Sequence, residues 1–232
     1  MAEQAALLQM TNISKRFPGV QALKEVSLSV RAAEIMALVG ENGAGKSTLM
    51  KILNGVYTAD SGTITWQGRA VSIRSPHDAQ AQGISMIHQE LALVPYLDAA
   101  KNIYLGREPR GKVPGTIDWG TLYRDAQAQI DQLHLDINIR TPVRYLSIAQ
   151  QQMVEVAKAL SMNARLIVMD EPTSSLTDRE VETLFEQMRT LRASGVAIVY
   201  ISHRLNEIFE ICDRITVLRD GEFIGTERID SL

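Results

Sequence analysis

The sequence predicts an α/β protein built around a parallel β-sheet. The first observation is a set of short apolar runs, which are typical of strands buried on both faces. These runs are Ile35–Val39, Ile84–Ile87, Leu166–Met169 and Ala197–Ile201. The second observation is that segments with helical periodicity alternate with these runs. Alternation of strands and helices favours a parallel sheet with helices on its faces.

Apolar side chains recur at spacings of three and four residues in three segments, which predicts three amphipathic helices. The stripes are Met153, Val156, Ala157 and Leu160; Val181, Leu184, Phe185, Met188 and Leu191; and Leu205, Ile208, Phe209 and Cys212. The second helix has a start signal, because Thr177 and Glu180 have the spacing of a capping box. Cys212 is the single cysteine, and its place on the third stripe predicts that it packs in the core.

Shorter strand patterns predict an antiparallel β-subdomain beside the parallel core. They are Leu7–Ser14, Ser27–Val30, Gly62–Trp66 and Val71–Arg74. A hairpin is predicted where Asp220 and Gly221 separate the segment Arg214–Arg219 from the segment Glu222–Gly225.

The segment from Glu90 to Arg144 has no buried-strand run, and a helix is predicted from about Trp119 to Leu133. We interpret this segment as a mostly helical insertion. The expected organisation is therefore a single domain over residues 1–232. Residues 1–89 and 145–232 form the core and the antiparallel β-subdomain, and residues 90–144 form the insertion.

The overall composition excludes several classes of protein. The 232 residues carry a net charge of −3 with acidic and basic residues well mixed, so no broad basic field for nucleic acid is expected. One cysteine excludes an internal disulfide framework and suits a reducing compartment. Met1–Gln4 lacks the regions of a secretory signal, and no apolar run approaches the roughly 20 residues of a membrane span. Any role at a membrane is therefore expected at its cytoplasmic face, through a partner.

The strongest functional signal follows the run Ile35–Val39. It reads Gly40-Glu41-Asn42-Gly43-Ala44-Gly45-Lys46-Ser47 and fits the G-x-x-x-x-G-K-S/T pattern of a phosphate-binding loop, or P-loop. Glycines let backbone N–H groups approach a phosphate, and a helix beginning near Lys46 adds the positive end of its dipole. We expect Lys46 to reach the β- and γ-phosphates of a nucleotide and Ser47 to bind Mg²⁺. The alternative is a glycine-rich turn between a strand and a helix.

Two acids end the apolar strand Leu166–Met169. Asp170 is expected to orient Mg²⁺ directly or through a bound water, since ligands of open α/β sheets bind at the carboxyl ends of the strands. Glu171 is expected beside the γ-phosphate, where it can act as general base toward the attacking water. The alternative is a solvated acidic pair before the turn at Pro172.

Three further side chains are candidates because of their positions. His203 follows the strand Ala197–Ile201 and can hydrogen-bond the γ-phosphate. Gln89 follows Ile84–Ile87 and can reach Mg²⁺ or the attacking water from a movable segment. Phe17 lies between two β-segments and can stack on an adenine ring. The alternatives are a structural histidine, a surface glutamine and an ordinary packed phenylalanine.

These elements in this order resemble the nucleotide-binding domain of ATP-binding cassette (ABC) transporters, over essentially the whole chain. The chain is most similar to the first ATPase domain of bacterial monosaccharide importers of the ribose, galactose, xylose and arabinose type. The resemblance rests on Phe17–Leu23, Gly40–Thr48, Asn102–Glu108, Gln152–Leu160, Met169–Leu176 and Ile201–Arg204. It implies ATP and Mg²⁺ as cofactors, and Thr48 as part of the nucleotide site. It also implies a head-to-tail dimer with a second ABC ATPase domain, typically fused to the first in one longer polypeptide.

The chain departs from the family pattern at the signature segment. Where the family usually has L-S-G-G-Q, this chain has Leu146-Ser147-Ile148-Ala149-Gln150. The resemblance implies that Ser147 and Gln150 meet the nucleotide held by the partner domain. Side chains in place of both glycines crowd that approach and narrow the allowed backbone conformations. Thr177 also stands where the family usually has an aspartate. We therefore expect this chain to have a competent P-loop half-site and to be a poor supplier of a signature.

The function implied by the resemblance is ATP hydrolysis that powers monosaccharide uptake through a membrane permease, fed by a periplasmic sugar-binding protein. The location implied is peripheral, on the cytoplasmic face of the cell membrane. Import of nucleosides or of a sugar-like signal is an alternative. A non-transport ABC ATPase is another, but that class needs a basic face, a long coiled coil or a zinc module, and the sequence has none of these. Nucleic acid is not an expected partner.

Overall fold

The computed structural model of the chain describes residues 6–232, and Met1–Gln4 lies outside them. The described residues form a ten-stranded sheet in the order β5-β4-β1-β2-β10-β9-β3-β8-β7-β6. The strands are β1 (Ala6–Phe17), β2 (Val20–Arg31), β3 (Ile35–Val39), β4 (Ser61–Trp66), β5 (Arg69–Val71), β6 (Ile84–Ile87), β7 (Leu166–Asp170), β8 (Ala197–Ile201), β9 (Arg214–Arg219) and β10 (Glu222–Arg228). The α-helices are α1 (Lys46–Leu53), α2 (Pro76–Ala81), α3 (Ala99–Tyr104), α4 (Trp119–Gln132), α5 (Ile148–Leu160), α6 (Asp178–Ala193) and α7 (Leu205–Ile211). Short 3₁₀ helices cover Val143–Tyr145 and Ile229–Ser231.

The parallel core of the sheet confirms the fold class predicted from the apolar runs. Strands β3, β6, β7 and β8 pair in parallel, and β9 adds to the other side of β3, also in parallel. Along β3, Ile35 and Ala37 pack into one hydrophobic cluster while Met36 and Leu38 pack into a second. Because successive side chains point to opposite faces, a strand covered on both faces must be apolar at every position.

The antiparallel part of the sheet contains β1, β2, β4 and β5, with β1 between β2 and β4. Two predicted strands have different bounds. The strand predicted at Ser27–Val30 begins already at Val20, because a tight turn at Pro18 and Gly19 pairs Phe17 with Val20. The strand predicted at Val71–Arg74 was misplaced.

The physical reason for that misplacement is the cap of the next helix. The Ser75 hydroxyl accepts a hydrogen bond from the Asp78 N–H at 3.2 Å, and the Asp78 carboxylate accepts one from the Arg74 N–H at 2.9 Å. These bonds commit residues just before α2 to the helix start, so β5 ends at Val71. The hairpin predicted after β8 is present as β9 and β10.

Helices cover both faces of the core. Between residues 90 and 144 the named elements of the described structure are α3, α4 and the start of the 3₁₀ turn at Val143, in agreement with the predicted helical segment. Cys212 is buried, as predicted, with 7% of its surface exposed. The stripe predicted for α7 is wrong at Leu205 and Phe209, which are 56% and 51% exposed. No helix among residues 6–232 is long and apolar enough to cross a membrane.

Candidate functional site

The P-loop connects β3 to α1, as its sequence pattern predicted. Gly45 immediately precedes the helix with a φ of 100°, in the left-handed region that disfavours other residues. A Cβ on Gly45 would lie 2.6 Å from Leu23 Cδ2 and 2.8 Å from the Ala22 carbonyl oxygen. At Gly40 a Cβ would lie 2.3 Å from the Leu218 carbonyl oxygen. The loop therefore packs so closely against β2 and β9 that these two positions admit only glycine.

A cleft of about 320 Å³ opens beside this loop. It is lined by Val20, Gln21, Ala22, Asn42, Gly43, Ala44, Gly45, Lys46, Ser47, Thr48, Asp170 and Glu171. The fold thus brings the predicted P-loop residues together with the two acids that end β7. Because α1 begins at Lys46, its N-terminal end faces the same cleft, where the helix dipole favours an anion.

The Lys46 ammonium is held at the mouth of the loop. Its Nζ donates hydrogen bonds to the carbonyl oxygens of Gly40 at 2.6 Å and Glu41 at 3.0 Å. An ammonium group has three donors, so one remains to meet an anion in the cleft. These contacts also account for Glu41, a predicted site residue, which contributes here through its backbone.

Asp170 and Glu171 lie side by side where β7 ends. Asp170 still pairs with Ile201 of β8, whereas Glu171 is beyond the strand and adopts a φ of 48°. The Glu171 N–H donates to the Ile201 carbonyl oxygen at 2.9 Å, which ties this residue to the end of β8. A positive φ is uncommon for a residue with a side chain, and such strain is concentrated at functional sites.

His203 lies next to Glu171, as the sequence predicted for two residues that each follow a parallel core strand. The His203 Nδ1 is 3.4 Å from Glu171 Oε1. His203 is 68% exposed at its side chain, and Glu171 is 26% exposed. The pair is open to solvent and to a ligand while being held by the ends of β7 and β8.

Asp170 is a partly buried acid next to a second acid. Burial, and then the neighbouring charge of Glu171, raise the pKa of the Asp170 carboxyl above its ordinary value. A cation in the cleft would reverse that effect. Among residues 6–232 no cluster of three or more His, Cys, Asp or Glu side chains could hold a metal by itself. Mg²⁺, however, is usually held by one or two carboxylates together with waters and substrate phosphates. Asp170 and the Ser47 hydroxyl line one cleft, and these oxygen donors fit that ion.

Phe17 and Gln89 are predicted site residues that do not line this cleft in the described structure. Phe17 packs edge-to-face against Tyr57, with ring centroids 5.1 Å apart, and the Lys15 ammonium lies 5.6 Å from its ring centroid. Gln89 is exposed in a bend after β6. Neither lines the cleft, so stacking on adenine by Phe17 and contact with Mg²⁺ by Gln89 stay predictions.

The signature segment forms the start of α5 and lies outside the P-loop cleft. The Ser147 Oγ accepts a hydrogen bond from the Gln150 N–H at 3.2 Å, and the Gln150 Oε1 accepts one from the Ser147 N–H at 3.0 Å. Ile148 and Ala149 are the first helical residues, with no positive φ, so their backbone conformation is unstrained. The predicted steric handicap at these positions stays a prediction; the Ile148 side chain is 45% exposed at the helix start.

Several residues at or near the site were not predicted from the sequence. Gln21 and Ala22 line the cleft because β2 runs past the P-loop. The available sequence signal for them was their place in Phe17–Leu23, one of the segments that carry the family resemblance. Gln152 of α5 donates through Nε2 to the Pro172 carbonyl oxygen, which links the signature helix to the segment after Glu171. Glu207 is buried and accepts a hydrogen bond from the hydroxyl of Ser202, the residue before His203. The available signal was a carboxylate between apolar stripe residues of α7.

Curated proteins of known name are similar to this chain along its whole length. A protein of Agrobacterium fabrum, named ribose/galactose/methyl galactoside import ATP-binding protein 1, is 54% identical over 231 residues, or 100% of this chain and 45% of that protein. The corresponding protein 3 of Burkholderia ambifaria is 54% identical over 97% of this chain and 44% of its own length. The chain therefore spans somewhat less than half the length of these curated relatives.

Solved structures show the same fold. A nucleotide-free ATP-binding cassette from an ABC transporter is 26% identical and superposes with a TM-score of 0.86 over 97% of this chain and 92% of that chain. A dimeric bacterial ABC transporter cassette, 24% identical, shares the fold with a TM-score of 0.78 over 96% of this chain and 98% of that chain. The family profile described as ABC transporter matches residues 23–174. The chain therefore belongs to the ABC transporter family.

Proposed function

We propose that this chain is an ATP-binding and ATP-hydrolysing domain that powers uptake of a monosaccharide by a bacterial ABC importer. One observation carries the proposal. The P-loop, Asp170, Glu171 and His203 meet at one edge of the sheet, with the Glu171 carboxylate 3.4 Å from the His203 ring. A phosphate-binding loop beside an acid–imidazole pair suits phosphoryl transfer to water.

In the proposed reaction each group of the chain has one task. The P-loop amides and Lys46 bind the β- and γ-phosphates of ATP, which positions the γ-phosphorus for attack. Glu171 accepts a hydrogen bond from the attacking water and takes its proton as the water oxygen bonds to the γ-phosphorus. The bond from the γ-phosphorus to the β–γ bridging oxygen breaks in the same step, and ADP leaves with that oxygen. His203 holds the Glu171 carboxylate and the γ-phosphate in register. Phe17 is assigned to the adenine ring.

The proposed metal ion is Mg²⁺, held by the Ser47 hydroxyl and Asp170, with Gln89 as a further donor. When bound, Mg²⁺ neutralises charge on the β- and γ-phosphate oxygens. The raised pKa of Asp170 supports this assignment, because a desolvated carboxylate beside Glu171 gains most from a cation.

The proposed partner at the cleft is a second ABC ATPase domain arranged head to tail. The start of α5 lies outside the chain's own cleft, so Ser147 and Gln150 are assigned to the nucleotide of the partner domain. Ile148 and Ala149 make this chain's signature a poor one. The chain is therefore proposed to hold one competent nucleotide site and to supply only a poor signature to the nucleotide site of its partner domain.

The remaining partners follow from the relatives, whose names specify ribose and galactose import. We assign residues 90–144 to contact with a membrane permease at its cytoplasmic face, and a periplasmic binding protein to delivery of the sugar. We also propose that residues 1–232 are one domain and form the N-terminal half of a longer protein with two such domains, since the relatives are about twice as long.

Nucleotide binding and uptake test this proposal together. In the isolated chain, Lys46→Ala should raise the Kd for ATP by about tenfold or more, because a charge-assisted phosphate contact is lost. Lys112→Ala, which removes an exposed lysine far along the sequence in the insertion, is the matched control and should bind ATP normally. In cells that express the complete importer, Lys46→Ala should abolish uptake of labelled ribose or galactose. Normal ATP affinity in Lys46→Ala would contradict the site, and unaltered uptake would contradict the transport role.

A further inference from the structure

Glu207 is a buried acid that is hydrogen-bonded to residues next to Glu171 and His203 in the chain. It lies on α7 and is 7% exposed. Its Oε2 accepts three hydrogen bonds, from the Thr173 hydroxyl at 2.9 Å, the Tyr200 hydroxyl at 2.7 Å and the Ser202 hydroxyl at 2.9 Å. Its Oε1 accepts one from Arg204 Nη1 at 3.1 Å. One carboxylate thus collects four donors from two separate segments of the chain.

The two segments are those that carry Glu171 and His203. Thr173 is two residues after Glu171, and Ser202 immediately precedes His203. Both catalytic candidates lie just beyond the strands, where the sheet ladder no longer fixes them. The backbone link between the two segments is the bond from the Glu171 N–H to the Ile201 carbonyl oxygen at 2.9 Å. Glu207 adds a side-chain link between the same two segments, through its bonds to Thr173 and Ser202.

The chemistry of the cluster requires an acceptor at this point. Hydroxyl groups that are buried need partners, and an ionised carboxylate can only accept. Burial and the contact with Glu207 raise the pKa of the Tyr200 phenol, which keeps its proton available for donation. Buried charges are costly to desolvate, so an apolar residue on the buried face of α7 would serve stability better than Glu207. Stability alone therefore does not explain a buried acid at this position.

We propose that Glu207 is a positioning residue for ATP hydrolysis, which holds the Glu171 segment and the His203 segment in one register through its bonds to Thr173, Tyr200 and Ser202. The inference rests on the proposed function, in which Glu171 and His203 act together on the attacking water. Glu207 itself does not touch the cleft lining and acts through the two segments.

Substitution of Glu207 tests this in the proposed full-length protein assembled with its permease. Glu207→Ala should lower kcat for ATP hydrolysis by about tenfold to a hundredfold, because a small misplacement of reacting groups is costly. The KM for ATP should stay within about twofold, because the P-loop is untouched. Glu207→Gln should retain most of kcat, since the amide oxygen can accept the same hydroxyl bonds. The matched control is Glu210→Ala, one turn further along the sequence, whose exposed acid pairs with Arg189; it should match wild type.

Three outcomes would overturn the proposal: wild-type kcat in Glu207→Ala, equal loss of kcat in Glu207→Gln and Glu207→Ala, or an increase in KM as large as the loss of kcat. If Glu207→Ala does not fold, the double variant Thr173→Val with Ser202→Ala tests the proposal instead. A reduced kcat at unchanged KM in that variant would support the positioning role, and a wild-type kcat would contradict it. Glu171→Gln is measured in parallel. Retained hydrolysis in Glu171→Gln means that the proposed function fails. Loss of hydrolysis in Glu171→Gln beside a normal Glu207→Ala means that only the positioning role fails.

Discussion

At the scale of single residues, the site holds groups in unfavourable states. Asp170 is partly buried beside Glu171, and this arrangement raises its pKa. Glu171 adopts a φ of 48°, a conformation that costs of order 1 kcal/mol or more for a residue with a side chain. Both costs fall on the two acids assigned to metal binding and catalysis. Strain and like charges of this kind are expected where a ligand supplies the compensating interaction.

Removal of the Asp170 charge should therefore stabilise the ligand-free chain. Asp170→Asn keeps the side-chain size and abolishes the repulsion from Glu171. Solvent screening of a half-buried group keeps the gain small, so Tm should rise by about 2 °C at neutral pH. The folded-state pKa lies above the unfolded one, so ionised Asp170 destabilises the fold at high pH. The difference in Tm between Asp170→Asn and the wild type should therefore shrink as pH falls through the raised pKa and Asp170 becomes protonated. Thermal unfolding across pH checks this; a lower Tm in Asp170→Asn at neutral pH would contradict it.

At the scale of elements, the start of α5 is the part of the chain proposed to meet the nucleotide of a partner domain. Its capping box occupies both Ser147 and Gln150, and the Ile148 side chain projects from the first turn. A helix start can bind an anion through its free N–H groups only where side chains leave room for it. The obstruction is steric, so glycine at these positions should relieve it.

The isolated chain should bind ATP and hydrolyse it slowly, because a second copy can offer only this crowded helix start. The double substitution Ile148→Gly with Ala149→Gly should raise its ATPase rate several-fold at high protein concentration. Glycine disfavours the helix by up to about 1 kcal/mol per position, so Tm should fall by a few degrees. Steady-state ATPase assays at several chain concentrations check this. The same pair of glycines in a Glu171→Gln background is the control and should show no gain. Rapid hydrolysis by the unmodified chain would count against the crowded-signature argument.

Sequence patterns predicted the elements best where one physical requirement dominated. The apolar runs located β3, β6 and β8 to the residue, because strands of a covered parallel sheet are built mainly from apolar side chains. The α7 stripe was wrong at Leu205 and Phe209, since the buried face also serves the hydroxyls of Thr173, Tyr200 and Ser202 through Glu207. A periodicity argument weighs apolar residues only, so it cannot detect a polar cluster whose donors are distant in sequence.

At the scale of the whole molecule, the topology assembles the site from distant segments. The P-loop, Asp170, Glu171 and His203 were predicted to converge because parallel core strands end at one edge, and the structure brings them together. The place of β9 beside β3 and the single ladder pair between β2 and β10, Glu222 with Lys24, could not be predicted. Those pairings depend on tertiary contacts between segments about 200 residues apart, for which one sequence carries no local signal.

In the proposed dimer, this chain holds a complete catalytic half-site, and a second domain supplies the glycine-bearing signature to it. The other nucleotide site, which would use this chain's own signature, is proposed to contribute little to ATP hydrolysis. The most direct test is the steady-state ATPase rate of Glu171→Gln in the assembled full-length protein, with ATP affinity measured alongside. Turnover should fall by about a hundredfold or more while ATP still binds, because a general base is lost and the P-loop is kept. Turnover that stays near wild type, or falls only by half, would contradict the claim.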